Sequence, residues 1–220
     1  MPIGPGTKLG QYVVQDAIGE GAMGVVYRAY HPQLERTGAV KVLHGIGLDL
    51  DSAARFRREA QAIAQLRHPN VLNVFDFGEY EGTPYMIVEY VSGGSLAPRV
   101  KSGPVERTAA ISYLRGIAEA LDYAHKHGIV HRDVKPANVL ITDEGQPMVL
   151  DFNLAHDTKT RSRVSVALLG GTLPFMAPEQ LVAYREETVA ENCNSDVYSL
   201  GVILYGKNPK FKNEHGRFGL

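Results

Sequence analysis

Cysteine is almost absent from the chain, which has a single Cys193 among 220 residues. An internal disulfide is therefore impossible, and a zinc site built from several thiolates is excluded. A chain without disulfides favours a reducing, cytoplasmic setting. Charge of one sign is also scarce, because the formal net charge is only -1 at pH 7. Nucleic acid or an anionic membrane is therefore not expected as the main partner.

Long hydrophobic runs are missing as well. The longest nearly apolar stretch, residues 197–205, is far shorter than the ~20 residues that cross a bilayer. Residues 1–6 lack the basic and apolar regions of a signal peptide, so we expect no membrane segment in this chain. Its 23 glycines and 12 prolines are too few for a low-complexity chain. The length suits one large domain or two small lobes.

Residues 1–91 predict a small first lobe of antiparallel strands and one helix, ending in a hinge. Short β-branched runs separated by glycine and proline indicate the strands. The five predicted strands are at residues 12–14, 25–27, 39–43, 71–77 and 85–90. Between the third and fourth, apolar residues recur every three or four positions from Phe56 to Leu66. This spacing predicts an amphipathic helix of about four turns, with Asp51 and Ser52 as its N-cap.

Residues 92–205 predict a second, mainly helical lobe. Residues 107–127 indicate a long helix. The apolar face predicted for this helix consists of Ile111, Leu114, Ile117, Ala118 and Leu121. A short hairpin is predicted over residues 139–150, followed by a mostly polar loop over residues 151–179. Another helix is predicted to begin near Asp196.

Residues 19–24 match the pattern Gly-x-Gly-x-x-Gly, which lets a backbone approach phosphate groups closely because glycine has no side chain. A dinucleotide-binding fold is disfavoured, since residues 25–27 continue as a strand and residue 44 is histidine where that fold needs an acidic residue. The motif fits a hairpin that covers a nucleotide. On these residues alone, an ordinary glycine-rich hairpin stays an open alternative.

A far more specific motif occupies residues 131–138, with the sequence His-Arg-Asp-Val-Lys-Pro-Ala-Asn. Through this motif the chain resembles the eukaryotic-like protein kinases, in particular the bacterial Ser/Thr kinases, and the resemblance extends from Tyr12 to Tyr205. It implies an α+β protein-kinase fold of two lobes, with an incomplete second lobe. Further matches to the family are Ala39-Val40-Lys41, Glu59, Asp151-Phe152-Asn153, Ala177-Pro178-Glu179 and Asp196.

The resemblance implies transfer of the ATP γ-phosphate to a hydroxyl of a protein, a reaction that depends on positioning and on neutralising charge. Asp133 would accept or orient the hydroxyl proton, while Asn138 and Asp151 would bind Mg²⁺ through oxygen atoms. Lys135, together with Thr172, resembles the pair that distinguishes Ser/Thr kinases from tyrosine kinases. The predicted catalytic residues are therefore Asp133, Lys135 and Asn138, and the predicted substrates are proteins with Ser or Thr.

The resemblance also implies a site for ATP. Lys41 would contact the α- and β-phosphates and would be held by an ion pair with Glu59. Main-chain groups of Glu89 and Val91 would bind adenine. Apolar contacts to adenine would come from Val26, Ala39 and Leu140. The glycine-rich segment would contribute Ile18, Gly19, Glu20, Gly21, Ala22, Met23 and Gly24.

Several features depart from the family pattern. Asn153 replaces a glycine, and Gly38 replaces a β-branched residue, which should only weaken its strand. After Tyr205 the likeness ends, and residues 206–220 form a divergent, basic tail. A frameshift, a premature stop or a truncated gene model is favoured over a natural ending. Residues 197–205 would be apolar on nearly every side of a helix without neighbours to cover them, so we expect a marginally stable second lobe.

In the family, the residue at the position of Glu179 pairs with an arginine from the region after Tyr205. We therefore expect Glu179 to lack this partner.

Two alternatives to an active kinase stay open: a nucleotide-binding pseudokinase that acts as an interaction module, and an inactive, unstable fragment. For an active enzyme, residues 158–165 offer four hydroxyls among basic side chains and are predicted as a site of autophosphorylation. A homodimer is the predicted arrangement for this reaction in trans.

Overall fold

The structure is a computed structural model that describes residues 3–21, 24–43, 50–152, 173–185 and 192–206 of the chain. It divides into two compact units. The first consists of Met1–Arg67 and Leu72–Tyr90, and the second of His68–Val71 and Val91–Leu220. The first unit is built around a sheet, whereas the second is mainly helical.

The first unit contains an antiparallel sheet of six described strands in the order β1-β2-β3-β4-β6-β5. The strands are β1 (Lys8–Leu9), β2 (Tyr12–Gly21), β3 (Gly24–His31), β4 (Arg36–Leu43), β5 (Val74–Tyr80) and β6 (Thr83–Glu89). There is one strand more than the five predicted, because β1 pairs with the start of β2, where Leu9 lies opposite Tyr12. A strand of two residues has no alternation that a sequence pattern could reveal.

Apolar residues pack on both faces of this sheet, and the alternation along β6 shows how. Tyr85 and Ile87 belong to the core on one face, and Met86 belongs to the core on the other, as the period of two requires. Helix α1 (Leu50–Ile63) covers the face of Met86 through Phe56. The core on the opposite face consists of Leu9, Tyr12, Val14, Ala29, Val40, Val42, Tyr85 and Ile87.

Two predicted boundaries in this part of the chain are wrong. Asp51 and Ser52 are not an N-cap, because α1 begins one residue before Asp51 and both residues lie in its first turn. The strand predicted to begin at residue 71 begins at Val74. Val71 belongs to the second unit, where it forms a parallel bridge with Val149. The apolar character of residue 71 indicates burial, but it does not indicate which strand the residue pairs with.

Packing requires glycine at position 38, contrary to the expectation that this residue only weakens its strand. A Cβ atom on Gly38 would lie 2.8 Å from Cε1 of Tyr12 and 3.2 Å from Cγ2 of Ile87. Both side chains are buried in the core of the sheet. A β-branched residue here would displace the Tyr12 ring, so the glycine makes room for a large aromatic side chain on β2.

The elements of the second unit are α2 (Leu96–Lys101), α3 (Arg107–Lys126), a 3-10 turn (Pro136–Asn138), β7 (Val139–Ile141), β8 (Pro147–Val149), a second 3-10 turn (Leu173–Phe175), α4 (Pro178–Arg185) and α5 (Cys193–Gly206). Strands β7 and β8 form the predicted hairpin. Helices α2 and α4 were not predicted, because they are only 6 and 8 residues long and show little periodicity. Among the described helices of the chain, none is long and apolar enough to cross a membrane.

The inward face predicted for helix α3 is confirmed at Ile117 and Leu121, which are buried, and is wrong at two other positions. Ile111 is 58% exposed, and Ala118 is exposed as well. The buried positions include Gly116 and Ala120. Gly116 explains the difference, because a Cβ atom there would lie 2.6 Å from Cγ of Pro147 in β8. The helix thus approaches the β7–β8 hairpin through its smallest residues, to which a hydrophobicity pattern gives little weight.

Helix α5 buries polar residues and exposes apolar ones. Ser195, Asp196 and Ser199 are buried, whereas Val197 is 60% exposed and Leu204 is 53% exposed. This is the reverse of an ordinary surface helix. The sequence predicted that no neighbouring elements would cover this apolar helix. Among the described residues, this holds for the side that carries Val197 and Leu204.

We expect Ile203→Ala to lower the free energy of unfolding by about 2–5 kcal/mol, because truncating a buried side chain leaves a cavity. Ile203 is 3% exposed. Val197→Ala on the same helix should change the free energy of unfolding by less than about 0.5 kcal/mol, since this side chain faces solvent. Denaturant unfolding followed by circular dichroism measures both. Equal effects of the two substitutions would contradict the observed burial pattern of α5.

Candidate active site

A buried carboxylate holds the segment that carries the His-Arg-Asp motif. Asp196, in the first turn of α5, is fully buried. Its Oδ2 accepts the main-chain N–H of His131 at 2.8 Å, and its Oδ1 accepts that of Arg132 at 2.7 Å. Nε2–H of His125 donates to Oδ2 at 2.8 Å. Because a buried carboxylate needs such donors, Asp196 fixes the backbone immediately before Asp133.

The His131 ring ties the same segment to the residues after β8. The main-chain N–H of Asp133 donates to Nδ1 of His131 at 3.2 Å, so Nδ1 is an acceptor and Nε2 carries the proton. Nε2–H then donates to the main-chain oxygen of Leu150 at 2.9 Å. The ring also packs against Phe152, with centroids 4.7 Å apart. His131 therefore links Asp133 to the segment that contains Asp151.

In the carboxylate of Asp133, one oxygen accepts two hydrogen bonds and the other accepts none from the described residues. Nζ of Lys135 donates to Oδ2 at 2.7 Å, and Nδ2 of Asn138 donates to the same oxygen at 3.0 Å. Oδ1 is buried and has no hydrogen-bond partner among the residues that the structure describes. The bonds to Oδ2 fix the orientation of the carboxylate, and Oδ1 is the oxygen that these two donors leave unoccupied.

Two residues around this acid have a left-handed backbone: φ is 67° at Arg132 and 58° at Asp151. For a residue other than glycine, such a conformation costs about 1–3 kcal/mol and persists only where the surroundings hold it. At Arg132 the main-chain N–H donates to Asp196 at 2.7 Å, and the carbonyl oxygen accepts Nε2–H of Gln180 at 2.8 Å. Backbone strain of this kind concentrates at functional sites.

Asn138 and Asp151 are the candidate ligands of Mg²⁺, and main-chain pairing brings their segments together. The N–H of Leu150 donates to the main-chain oxygen of Asn138 at 3.1 Å. Nδ2 of Asn138 donates to Asp133, which leaves the amide oxygen as the atom that can coordinate a cation. Amide and carboxylate oxygens suit Mg²⁺, which commonly takes one or two protein ligands together with phosphate oxygens. The residues present therefore fit this ion.

The glycine-rich motif of the first unit lies at the end of the β2–β3 hairpin, where Gly21 pairs with Gly24. Gly24 is required by the fold, because a Cβ atom there would lie 1.9 Å from the main-chain oxygen of Val42. At Gly19 and Gly21 a Cβ atom would meet no described atom within 4 Å. Packing thus explains one of these three glycines. Described neighbours do not require the other two, and their contact with ATP stays a prediction.

Three of the predicted nucleotide contacts share one face of the sheet. Val26 lies opposite Lys41 in the register of β3 and β4, and paired residues of antiparallel strands point to the same side. Ala39 precedes Lys41 by two residues and so points to that side as well. The predicted ion pair between Lys41 and Glu59 stays a prediction, because Glu59 lies on α1 but its side chain is outside the described part of the structure.

Four further residues predicted to contact ATP are Ile18, Glu89, Val91 and Leu140. In the first unit, the main-chain N–H of Glu89 donates to the main-chain oxygen of Asn73 at 2.9 Å, and Nδ2 of Asn73 donates to the Glu89 carboxylate at 2.7 Å. Ile18 is 44% exposed on β2. In the second unit, Val91 and Leu140 are half-buried. These four residues remain predicted contacts.

Some predicted positions lie outside the described residues, and two useful residues were not predicted. Glu20 is described and is exposed on β2. The positions outside the described residues are Ala22, Met23, Asn153, Thr172 and the loop 158–165.

The sequence did not predict two hydrogen bonds near Asp133. They join His125 to Asp196 and Gln180 to Arg132. No local pattern signals them, because their partners are far away along the chain.

Glu179 has a hydroxyl partner within the described residues, and the expected lack of its arginine partner stays a prediction. Its Oε1 accepts the hydroxyl of Ser195 at 2.6 Å, and the residue is half-buried. The bond joins the first turn of α4 to the first turn of α5. A hydroxyl donor satisfies a carboxylate oxygen without a second charge, so Oε1 of Glu179 is not left without a donor.

Comparison with known proteins identifies the family to which this fold and site belong. The family described as protein kinase domain matches residues 12–216, so the chain belongs to the protein kinase family. The predicted family and fold class are therefore confirmed, with a sheet of six strands in place of five.

Several bacterial proteins are similar to this chain. A probable serine/threonine-protein kinase of Clostridium acetobutylicum is 36% identical over 197 residues, which cover 89% of this chain and 29% of that protein. A probable serine/threonine-protein kinase of Streptomyces coelicolor is 40% identical over 206 residues, with 89% and 30% covered. Serine/threonine-protein kinase PknB of Mycolicibacterium smegmatis is 40% identical over 204 residues, with 89% and 32% covered. The chain spans a little under a third of the length of these relatives.

The three glycines should separate into two classes when they are replaced by alanine. We expect Gly24→Ala to lower the free energy of unfolding by about 1–3 kcal/mol, because it adds a methyl group where there is no space. Gly19→Ala and Gly21→Ala should leave the stability unchanged or slightly higher and should weaken ATP binding. Thermal unfolding and titration calorimetry with ATP measure the two effects. A loss of stability at all three positions would show that packing alone accounts for the motif.

Proposed function

We propose that this chain is the catalytic portion of an ATP-dependent protein serine/threonine kinase. The observation that supports this most directly is the carboxylate of Asp133, whose Oδ2 is held by Lys135 and Asn138. Its Oδ1 is buried without a donor among the described residues. The names of the bacterial relatives support the same activity.

In the proposed reaction, the oxygen of a substrate hydroxyl attacks the γ-phosphorus of ATP, and the bond from that phosphorus to the β–γ bridging oxygen breaks. The electron pair of this bond leaves with ADP. Oδ1 of Asp133 accepts or orients the proton of the hydroxyl. Lys135 and Asn138 keep the carboxylate in one orientation, and Lys135 adds a positive charge next to it.

The proposed contacts to the nucleotide and its metal come from several segments of the chain. Asn138 and Asp151 would hold Mg²⁺, which, when bound, neutralises charge on the phosphates. Lys41 is proposed to contact the α- and β-phosphates. It shares a sheet face with Val26 and Ala39, which are proposed to contact adenine.

The proposed substrates are proteins that present Ser or Thr. Lys135 supports this class by its resemblance to Ser/Thr kinases, and the relatives carry the same class in their names. Autophosphorylation within residues 158–165, a homodimer for reaction in trans and a cytoplasmic location are proposals that rest on the sequence. The location is supported only by the single cysteine.

Asp133→Asn should lower the rate of phosphoryl transfer by about 10²–10⁴-fold, because the amide cannot accept the hydroxyl proton. The matched control is Asp143→Asn, which makes the same change at an exposed residue in the turn between β7 and β8. Transfer of labelled phosphate from ATP to casein gives the rate, and calorimetry gives the affinity for ATP. We expect the affinity of both variants to stay close to that of the wild type.

Wild-type rates in the Asp133→Asn variant would contradict the assignment of the catalytic acid. A wild-type protein that binds ATP but transfers no phosphate would be a nucleotide-binding pseudokinase. A protein that neither binds ATP nor unfolds cooperatively would be an inactive fragment.

A further inference from the structure

Gln180 makes two hydrogen bonds that serve different parts of the second unit. Its Oε1 accepts the main-chain N–H of Ala177 at 3.0 Å, and its Nε2–H donates to the main-chain oxygen of Arg132 at 2.8 Å. The residue is only 6% exposed. Because α4 begins at Pro178, Ala177 is the residue that caps this helix, and Gln180 is the third residue within it.

The bond to Ala177 is explained by the helix alone. A side chain at the third helical position commonly accepts the N–H of the capping residue, and glutamate serves this purpose as well as glutamine. The bond to Arg132 leaves the helix and needs a donor, which an ionised glutamate does not have. The helix cap therefore explains why residue 180 carries a hydrogen-bond acceptor. The bond to the Arg132 carbonyl oxygen explains why this residue is glutamine and not glutamate.

The backbone of Arg132 needs support from its surroundings. It has a left-handed conformation with φ of 67°. Asp196 accepts its N–H at 2.7 Å and so holds the peptide before it. Gln180 binds its carbonyl oxygen and so holds the peptide that joins Arg132 to Asp133. Together the two side chains fix the orientation of the backbone from which the Asp133 carboxylate extends.

We infer that Gln180 is a positioning residue for phosphoryl transfer: its Nε2–H fixes the peptide between Arg132 and Asp133 and so keeps Oδ1 of Asp133 directed at the substrate hydroxyl. This inference rests on the proposed kinase function. Gln180 acts through the backbone and through Asp133, so its loss should lower kcat without weakening the binding of ATP. The same side chain couples the position of Ala177 to the orientation of the acid.

The experiment compares two substitutions that separate the two hydrogen bonds. Gln180→Glu keeps an acceptor for Ala177 and removes the donor to Arg132, whereas Gln180→Met removes both at similar volume. The matched control is Gln146→Glu, because Gln146 is exposed and its Nε2–H also donates to a main-chain oxygen, that of Pro69, at 2.8 Å. The full chain is used for each variant. Thermal unfolding, kcat and KM for ATP, and hydrogen exchange over residues 131–135 are measured.

In both Gln180 variants we expect kcat to fall on the order of 10- to 100-fold, because a small displacement of a catalytic group has effects of this size. KM for ATP should stay within about twofold of the wild-type value, since the altered contact is not to the nucleotide. Hydrogen exchange should be faster at the amides of residues 132 and 133. Gln180→Glu should unfold at a lower temperature than the wild type, because it buries a carboxylate next to the Arg132 carbonyl oxygen, so kcat is compared at a temperature where every variant is folded. Gln146→Glu should match the wild type in every measurement.

A kcat within about twofold of the wild type in both folded Gln180 variants would overturn the inference. A loss of kcat in Gln180→Met alone would also overturn it, because the helix cap would then be sufficient. If the wild type itself transfers no phosphate, the proposed function fails, and hydrogen exchange decides the positioning role without it. Faster exchange at residues 132 and 133 in both variants supports that role, and unchanged exchange overturns it.

Discussion

The geometry around Asp133 in the second unit depends on the hydrogen bonds of the buried Asp196 carboxylate. An ionised group removed from water is stable only when donors surround it, and two of its donors are main-chain N–H groups of His131 and Arg132. Charge burial and loop position therefore stabilise each other. If the loop moved, the carboxylate would lose its donors, and if the carboxylate were absent, the left-handed backbone at Arg132 would lose a bond that holds it.

From this anchor, successive hydrogen bonds restrict the freedom of Asp133. The His131 ring binds its main-chain N–H, and Lys135 and Asn138 bind one oxygen of its carboxylate. Each bond removes a rotation that would otherwise have to be frozen when the substrate binds. In a reaction that gives the protein little covalent work, such preorganisation is the main contribution that side chains can make.

Glycine shows how one residue type meets two opposite demands in this fold. Gly24 and Gly38 are needed because neighbouring atoms leave no space for a side chain, whereas at Gly19 and Gly21 a Cβ atom would meet no atom of the described residues within 4 Å. A motif that counts glycines cannot separate these cases, since it records only the residue type. The distinction depends on which strand lies next to each glycine, and that is a property of the assembled sheet.

The sequence by itself determined the family and the segment proposed as catalytic, because the defining residue types lie within eight consecutive positions, where chain connectivity limits the geometry. It also determined most strands and the long helix α3, whose patterns are local. Tertiary structure alone decided that α3 buries Gly116, that Glu179 binds Ser195 and that Gln180 binds Arg132. The partners in these two bonds are 16 and 48 residues apart in the chain. Local patterns specify burial and periodicity, but the choice among distant partners is made by the packing of the whole chain.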